Sequence, residues 1–360
     1  MNHGELHDAI TSLTSRPFCN AGNFESLVHE VLNYQYARNG VYRKYCDFSD
    51  KRGKNSGIHY LPVDIFKYGY VACFPQEDAV TVFKTAGTSL RKSGSHYFTK
   101  ESLELKNRCF EGLAKELLVP DRKMFRVVVL CVPASLRNSK FLHNAQYFID
   151  KFGTKDSGYF VNENGEFEND RLINFLRSAA YGDIPVFIFI NIDYAYKFVV
   201  DCLKKGIILP LSKLSRILLS GFKEEKVAKQ EFYYLLQKVF DLHEYFLIDD
   251  YGMTESTSSW YDNVLRNKLN GKNEQRCKID PCWCRTEIVD ASTLEKVEDG
   301  KVGLIRYINL ANFNTCSFIL TNDLGYKIGE GFEVIGKASR EEADGYYDLL
   351  ERLLTTMSIL

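Results

Sequence analysis

The sequence predicts an α/β protein: a largely parallel sheet flanked by helices, followed by a smaller β subdomain. Three observations carry this expectation. Two continuous β-branched and aromatic runs, Phe125–Val132 and Pro185–Ile192, read as strands buried on both faces, the pattern of a parallel sheet covered on each side. Between and after them lie segments whose apolar residues recur at helical spacing. Past Gly271 the texture changes to short alternating runs bounded by turn residues, which reads as a separate set of strands.

Taken in order, residues 1–75 open with helical patterning. Phe24, Leu27, Val28, Val31, Leu32 and Tyr36 share one face, with Asn23 as a plausible cap, and Arg52–Gly57 reads as a loop. Residues 76–270 form the expected α/β core. Thr99 caps a helix bearing Leu103, Phe110, Leu113 and Leu117, and Phe125–Val132 is the first strand. Helix Asp170–Tyr181, strand Pro185–Ile192, helix Ala195–Lys205, strand Arg216–Ser220, helix Glu224–Asp241 and strand Tyr245–Ile248 follow. Residues 271–337 form the β subdomain, with strands at Cys284–Val289, Val302–Ile308, Cys316–Leu320 and Phe332–Ile335. Residues 338–360 add a short helical tail at Ala343–Leu354, so the four segments make one domain.

Bulk composition narrows the function. With 360 residues, 45% hydrophobic and 26% charged, the chain can bury a large core. A net charge of −1 gives no electrostatic ground for nucleic acid or an anionic membrane as partner. No apolar run approaches the roughly 20 residues of a membrane span, and no basic stretch precedes an apolar one near the start as in a secretory leader. Ten scattered cysteines, several inside apolar runs (Cys73, Cys131, Cys202), read as small buried hydrophobes of a reduced, cytoplasmic protein.

The richest stretch is Phe83–Ser93. Thr85, Gly87, Thr88, Ser89 and Ser93 crowd one turn, with Arg91 and Lys92 beside them. Such a turn aims backbone N–H groups, hydroxyls and a cation at a polyphosphate. It is not a Walker A loop, since no Gly-Lys-Ser/Thr closes it, and by itself it is also an ordinary solvated turn. Downstream stand Ser220-Gly221-Phe222-Lys223, then Tyr251-Gly252-Met253-Thr254-Glu255, then Asn309-Leu310-Ala311-Asn312, then Thr321-Asn322-Asp323-Leu324-Gly325 with Phe332-Glu333. Upstream stand Phe24–Gln35 and Leu61-Pro62 with Phe66-Lys67.

In that order these pieces resemble the LuxE-like acyl-protein synthetases of bacterial luminescence operons, a branch of the adenylate-forming superfamily, over most of the chain. The resemblance implies the N-terminal-type adenylate-forming fold and activation of a carboxylic acid by ATP to an acyl-adenylate. It implies that Gly87, Thr88, Ser89 and Lys92, with Thr85 at the loop's start, hold the departing phosphates. Glu255 and Thr88 would bind Mg²⁺, Tyr251 and Gly252 would form the adenine wall with Thr254 beside them, and Asp323 would take the ribose hydroxyls. Lys223, after Gly221, would face substrate or phosphate. Each role has a plainer alternative in the residues themselves: Asp323 before Leu-Gly suits a turn, Glu255 suits a helix's first turn, and Lys223 and Lys92 suit solvent.

Two departures from the pattern are expected to matter. The sequence given runs only 23 residues past Lys337, leaving no room for the large C-terminal domain of the wider superfamily. The family's acceptor cysteine falls where this chain reads Ala343-Asp344-Gly345-Tyr346-Tyr347, and no cysteine follows Cys316. A thioester needs a thiol, because a tyrosine oxygen is a far weaker nucleophile near neutral pH. The acyl group is therefore expected to pass to an external acceptor, a partner or carrier protein. Cys277, Cys282 and Cys284 place three thiols in eight positions, but without the repeated pairs of a zinc site they read as incidental. Nothing in the sequence separates His59, His96 or His143 from surface histidines. Rival readings are a coenzyme A ligase of the phenylacetate-activating type and a scaffold that binds nucleotide without turnover.

Overall fold

The computed structural model describes residues 1–19, 22–50, 57–85, 92–133, 138–221 and 228–356. They fall into two compact units: residues 1–113 with 253–260 and 279–360, and residues 114–252 with 261–278. The chain thus leaves the first unit at Leu113 and returns to it twice, a division that cuts across the expected boundaries at 75 and 270. The physical reason is pairing: β1 (Leu61–Pro62), from the N-terminal segment, joins the sheet built by the C-terminal strands.

The first unit begins with helices α1 (His3–Leu13), α2 (Phe24–Arg38) and α3 (Gly40–Asp50). Asn23 stands at the start of α2 but its side chain makes no capping bond. Strand β1 (Leu61–Pro62) runs into a 3₁₀ turn, Val63–Lys67. Strands β2 (Thr81–Lys84) and β3 (Ser95–Phe98) form an antiparallel hairpin with Lys84 opposite Ser95. The glycine-hydroxyl stretch is therefore a hairpin connection. Thr99 accepts from the Ser102 N–H at 3.2 Å, as expected of a cap, and α4 (Lys100–Leu113) buries Leu105, Cys109, Phe110 and Leu113.

The second unit holds the parallel sheet. Its elements are β4 (Arg126–Leu130), α5 (Lys140–Phe152), β5 (Gly158–Tyr159), α6 (Asn169–Ala179), β6 (Val186–Asn191) and α7 (Ile192–Lys204). After them come β7 (Arg216–Ser220), α8 (Lys229–Phe240) and β8 (Leu247–Tyr251). The strands pair in the order β5-β4-β6-β7-β8, every neighbouring pair parallel. Val128, Ile188, Ile190, Ile217, Leu219 and Leu247 pack with Phe198, Leu236 and Phe240 of the helices. The expected strand at Tyr245–Ile248 begins later, because Glu244–Phe246 is a 3₁₀ turn. The chain re-enters this unit through β9 (Trp260–Tyr261) and adds α9 (Val264–Leu269).

The C-terminal strands are β10 (Cys284–Val289), β11 (Gly303–Asn309), β12 (Phe318–Ile328) and β13 (Gly331–Lys337), followed by α10 (Asp344–Thr356). They form an antiparallel sheet in the first unit. Strand β12 runs eleven residues, well beyond the expected Cys316–Leu320. Thr321–Gly325, for which a turn at Asp323 was the plainer alternative, are strand, since both edges of β12 find partners. One edge pairs with β11, while the other pairs with β1 at Ile319 and Leu320 and with β13 from Asp323 onward. Thr321 and Asn322 sit at the seam where β1 leaves and β13 begins.

Candidate active site

The hairpin loop is tied shut at its neck. The Thr85 N–H donates to the Gly94 carbonyl at 3.0 Å, the Gly94 N–H donates to Thr85 Oγ1 at 2.8 Å, and Ser93 Oγ donates to the Thr85 carbonyl at 2.7 Å. Two of its hydroxyls thus close the loop. Gly87, Thr88 and Ser89 lie outside the described residues. Lys92 is exposed, with its ammonium 5.4 Å from the centroid of the Tyr68 ring.

Glu255 lies against this neck. A Cβ placed on Gly94 would stand 2.9 Å from Glu255 Oε1 and 3.3 Å from Thr85 Cγ2, so only glycine lets backbone and carboxylate approach so closely. The carboxyl is buried, 5% exposed, and among the described residues no lysine or arginine forms an ion pair with it. Burial pushes it up to about 7, opposed by its own N–H and by Lys337 and Lys67, and reinforced by Asp64.

Buried side chains fix the backbone around it. Asn312 Nδ2 donates to the Glu255 carbonyl at 2.9 Å while its Oδ1 accepts from the Thr257 N–H at 2.7 Å. Asn309 Nδ2 reaches Ser256 Oγ at 3.0 Å, and Trp283 Nε1 donates to Ser258 Oγ at 2.8 Å. His96 is 1% exposed, so it is no surface histidine. Its Nδ1 lies 2.8 Å from the Thr254 carbonyl, and its Nε2 lies 3.0 Å from Thr315 Oγ1. A carbonyl only accepts, so Nδ1 carries the hydrogen.

Asp323 and Lys337 face each other across β12 and β13, with Lys337 Nζ 3.4 Å from Asp323 Oδ1 and 3.0 Å from Asn322 Oδ1. On the neighbouring 3₁₀ turn, Asp64 pairs with Lys67 and accepts from the Tyr346 hydroxyl at 2.7 Å. The first unit therefore holds Thr85, Lys92, Thr254, Glu255 and Asp323 from the sequence-expected set, with Thr85 and Glu255 meeting at Gly94. To these it adds Asp64, Lys67, His96, Asn312 and Lys337. Asn309–Asn312 and Phe66-Lys67 were visible as motifs without roles; His96 carried no signal, since a lone histidine does not reveal its burial.

The remaining candidates lie in the second unit. Tyr251, buried, ends β8, and exposed Gly252 follows it, with chain continuity holding both within four residues of Glu255. Gly221 follows β7 with φ 74°. Lys223 lies outside the described residues.

A Mg²⁺ ion fits this donor set in one way. Among the described residues no cluster of three carboxylate, histidine or cysteine ligands exists. Mg²⁺ often needs only one or two carboxylates plus substrate phosphates, and a buried carboxyl without an ion-pair partner among the described residues suits that role. The cysteines form no such group either. Cys19 and Cys282 lie with their sulfurs 3.3 Å apart, and Cys277 and Cys284 are buried. Among the described residues no helix is long and apolar enough to cross a membrane.

Known proteins resemble this chain at two levels. A sequence model of the family described as acyl-protein synthetase, LuxE, matches residues 10–355. A long-chain-fatty-acid–luciferin-component ligase of Aliivibrio fischeri is 22% identical over 326 residues, covering 84% of this chain and 78% of the relative. Among solved structures, an open conformation of 2-hydroxyisobutyryl-CoA ligase in complex with 2-HIB-AMP and CoA aligns with a TM-score of 0.63 at 12% identity. That alignment covers 93% of this chain and 71% of the other. The same ligase in its thioesterification state aligns at 0.61, covering 94% and 69%. The structural likeness speaks for the adenylate-forming fold.

Proposed function

The chain belongs to the acyl-protein synthetase family LuxE, as an acid-activating ligase that forms an acyl-adenylate and passes the acyl group on, and from that premise we propose that it uses Mg²⁺ with ATP, takes a long-chain fatty acid, and delivers the acyl group to an acceptor outside its own chain. The observation that carries the metal and nucleotide reading is Glu255: a buried carboxyl without an ion-pair partner among the described residues, set against the neck of the Thr85–Gly94 loop.

In the reaction the acid's carboxylate attacks the α-phosphorus of ATP and pyrophosphate leaves. Two anions must meet, so fixed cations and donors have to offset their repulsion. Lys92 and the loop residues Gly87, Thr88 and Ser89 hold the departing β- and γ-phosphates. Lys337 presents its ammonium at the seam of β12, with Asp323 beside it. Asp323 accepts from the ribose hydroxyls, for which a carboxylate held on a paired strand is suited. Tyr251 and Gly252 line the adenine, with Thr254 next to them and its carbonyl held by His96, and Lys223, beyond Gly221, faces the acid or a phosphate. Glu255, with Thr88, would hold Mg²⁺, which when bound would neutralise phosphate charge.

The state of several of the chain's own nucleophiles supports the external acceptor. Tyr346 is fully buried and its hydroxyl is bonded to Asp64. Burial pushes Cys282 up to about 12, with Cys19 adding to it, and lifts Cys284 and Cys316 well above an ordinary thiol. Protonated thiols are poor nucleophiles. Ten free cysteines also suit a reducing, cytoplasmic setting.

The test is acid-dependent ATP–pyrophosphate exchange over a panel of carboxylic acids with Mg²⁺, followed by labelled acid and denaturing gels with and without hydroxylamine. Exchange stimulated by long-chain acids is expected, with label on an added partner or carrier protein. Exchange with none of the acids would end the catalytic reading. A hydroxylamine-labile label on the chain itself, lost in Cys282→Ser, would end the external acceptor.

A further inference from the structure

The C-terminal helix makes buried bonds to the Val63–Lys67 turn through Tyr346. Tyr346, on the first turn of α10, is 0% exposed and its hydroxyl donates to Asp64 Oδ2 at 2.7 Å while accepting from the Asp64 N–H at 3.2 Å. The helix backbone lies hard against residues 291–292, since a Cβ on Gly345 would stand 2.3 Å from the Ser292 carbonyl oxygen. Tyr346 is thus held from behind and Asp64 from both its ends.

Asp64 in turn pairs through Oδ1 with Lys67. The two stand three apart on a 3₁₀ turn, where side chains at that spacing eclipse and share one face. Asp64 is almost wholly buried, but the Lys67 side chain keeps 33% of its surface in water. Its chain neighbours contact two elements of the candidate site. Phe66 packs edge-on against His96 with ring centroids 5.9 Å apart, and His96 holds the Thr254 carbonyl beside Glu255. On the other flank, Tyr68 lies under the ammonium of Lys92. Lys67 itself lies close enough to Glu255 for its charge to favour that carboxylate, with its chain neighbours touching His96 on one side and Lys92 on the other. A lysine needed only to neutralise Asp64 would gain nothing from this placement, whereas one facing a polyphosphate would.

We propose that Lys67 is a further ligand of the ATP polyphosphate and that Tyr346 and Asp64 are positioning residues that hold its ammonium in place. This assignment rests on the nucleotide reading above. A flexible lysine head gains as a phosphate ligand when its rotamer is fixed beforehand, because less freedom is lost on binding. Tyr346 then has a role unrelated to accepting an acyl group: it anchors a cation.

Two readouts test it, the rise in melting temperature caused by Mg²⁺ plus ATP and the exchange rate with the best acid. Lys67→Gln is expected to lower kcat/KM for ATP by about tenfold or more and to shrink the ATP-induced stabilisation, with the nucleotide-free melting temperature little changed. Lys67→Arg should restore part of the loss. Tyr346→Phe should cost several-fold in the wild-type background and nothing further in the Lys67→Gln background, because the hydroxyl acts through that lysine. Asp64→Asn carries the same cycle if Tyr346→Phe fails to fold. Equal losses from Tyr346→Phe in both backgrounds, the signature of a purely structural anchor, would overturn the positioning role. A Lys67→Gln protein that exchanges like wild type would overturn the phosphate role alone. A wild type that neither exchanges nor is stabilised by Mg²⁺ plus ATP would overturn the nucleotide reading, and this assignment with it.

Discussion

Two buried carboxylates, one in each unit, meet the cost of leaving water in opposite ways. Asp262 of the second unit is 0% exposed, and Arg276 Nη1 lies 2.5 Å from it and Lys278 Nζ 3.5 Å. It also accepts from the Asp249 N–H at 3.1 Å, while Asp249 itself pairs with Lys278 at 2.8 Å and Lys229 at 2.7 Å. Burial raises Asp262, but Lys278 and then Arg276 outweigh it and hold the carboxyl well below the usual range. Glu255 of the first unit is buried almost as deeply, and burial wins, leaving it near neutrality. The difference lies in where compensation comes from. Asp262 is compensated from within the fold; Glu255 is not, which is the ground on which we propose it as the group that takes a cation arriving with substrate.

The largest effect should come from breaking the compensated network. Lys278→Met strips Asp249 and Asp262 of their shared cation and should cost about 3–5 kcal/mol of stability, read from the denaturant midpoint. A loss under about 1 kcal/mol would put this network on the footing of surface pairs and dissolve the contrast.

Glu255→Gln should do the reverse, abolishing exchange by at least about a hundredfold while leaving the free protein as stable as wild type or more so. The sign follows from proton binding. A carboxyl raised in the fold binds more protons there than in the unfolded chain between its ordinary value and about 7, so wild-type stability falls as pH rises through that window. Measured in EDTA without ATP, the glutamine variant should therefore gain on wild type from pH 5 to pH 8, by on the order of 2–3 kcal/mol. No gain would mean that Glu255 is already compensated.

A smaller effect is expected at Asp323. Asp323→Ala removes the proposed ribose contact and should raise KM for ATP about tenfold with a lesser change in kcat; a drop in kcat alone would place Asp323 in the chemistry instead. The smallest concerns the close approach. Gly94→Ala pushes a methyl against Glu255 Oε1 and should slow exchange several-fold, by about 1 kcal/mol of barrier, with stability lowered by a similar amount. Unchanged activity would show that Glu255 moves freely at the loop's neck.

The parallel sheet was legible because its strands announce themselves locally. The runs around Val127–Leu130 and Val186–Ile190 are continuous only because both faces are buried, and Arg216–Ser220 forms the strand expected of it. The motif order Thr85–Ser93, Tyr251–Glu255 and Thr321–Gly325 likewise belonged to the sequence, and with it the family. Pairing across long separations did not. Asp323 before Leu324-Gly325 suits a turn by composition, and partners from β11 and β13 make it strand, so the length of β12 and the cross-strand Asp323–Lys337 pair were decided by tertiary contact. Burial was decided there too. His96, Asp64, Lys67 and Tyr346 look like ordinary polar residues in the chain, and nothing local says that a tyrosine 282 positions away will donate to Asp64. Residue types and their order are properties of the chain. Which charges meet, and which buried carboxyl lacks an ion-pair partner among the described residues, depends on distances that only the folded state sets.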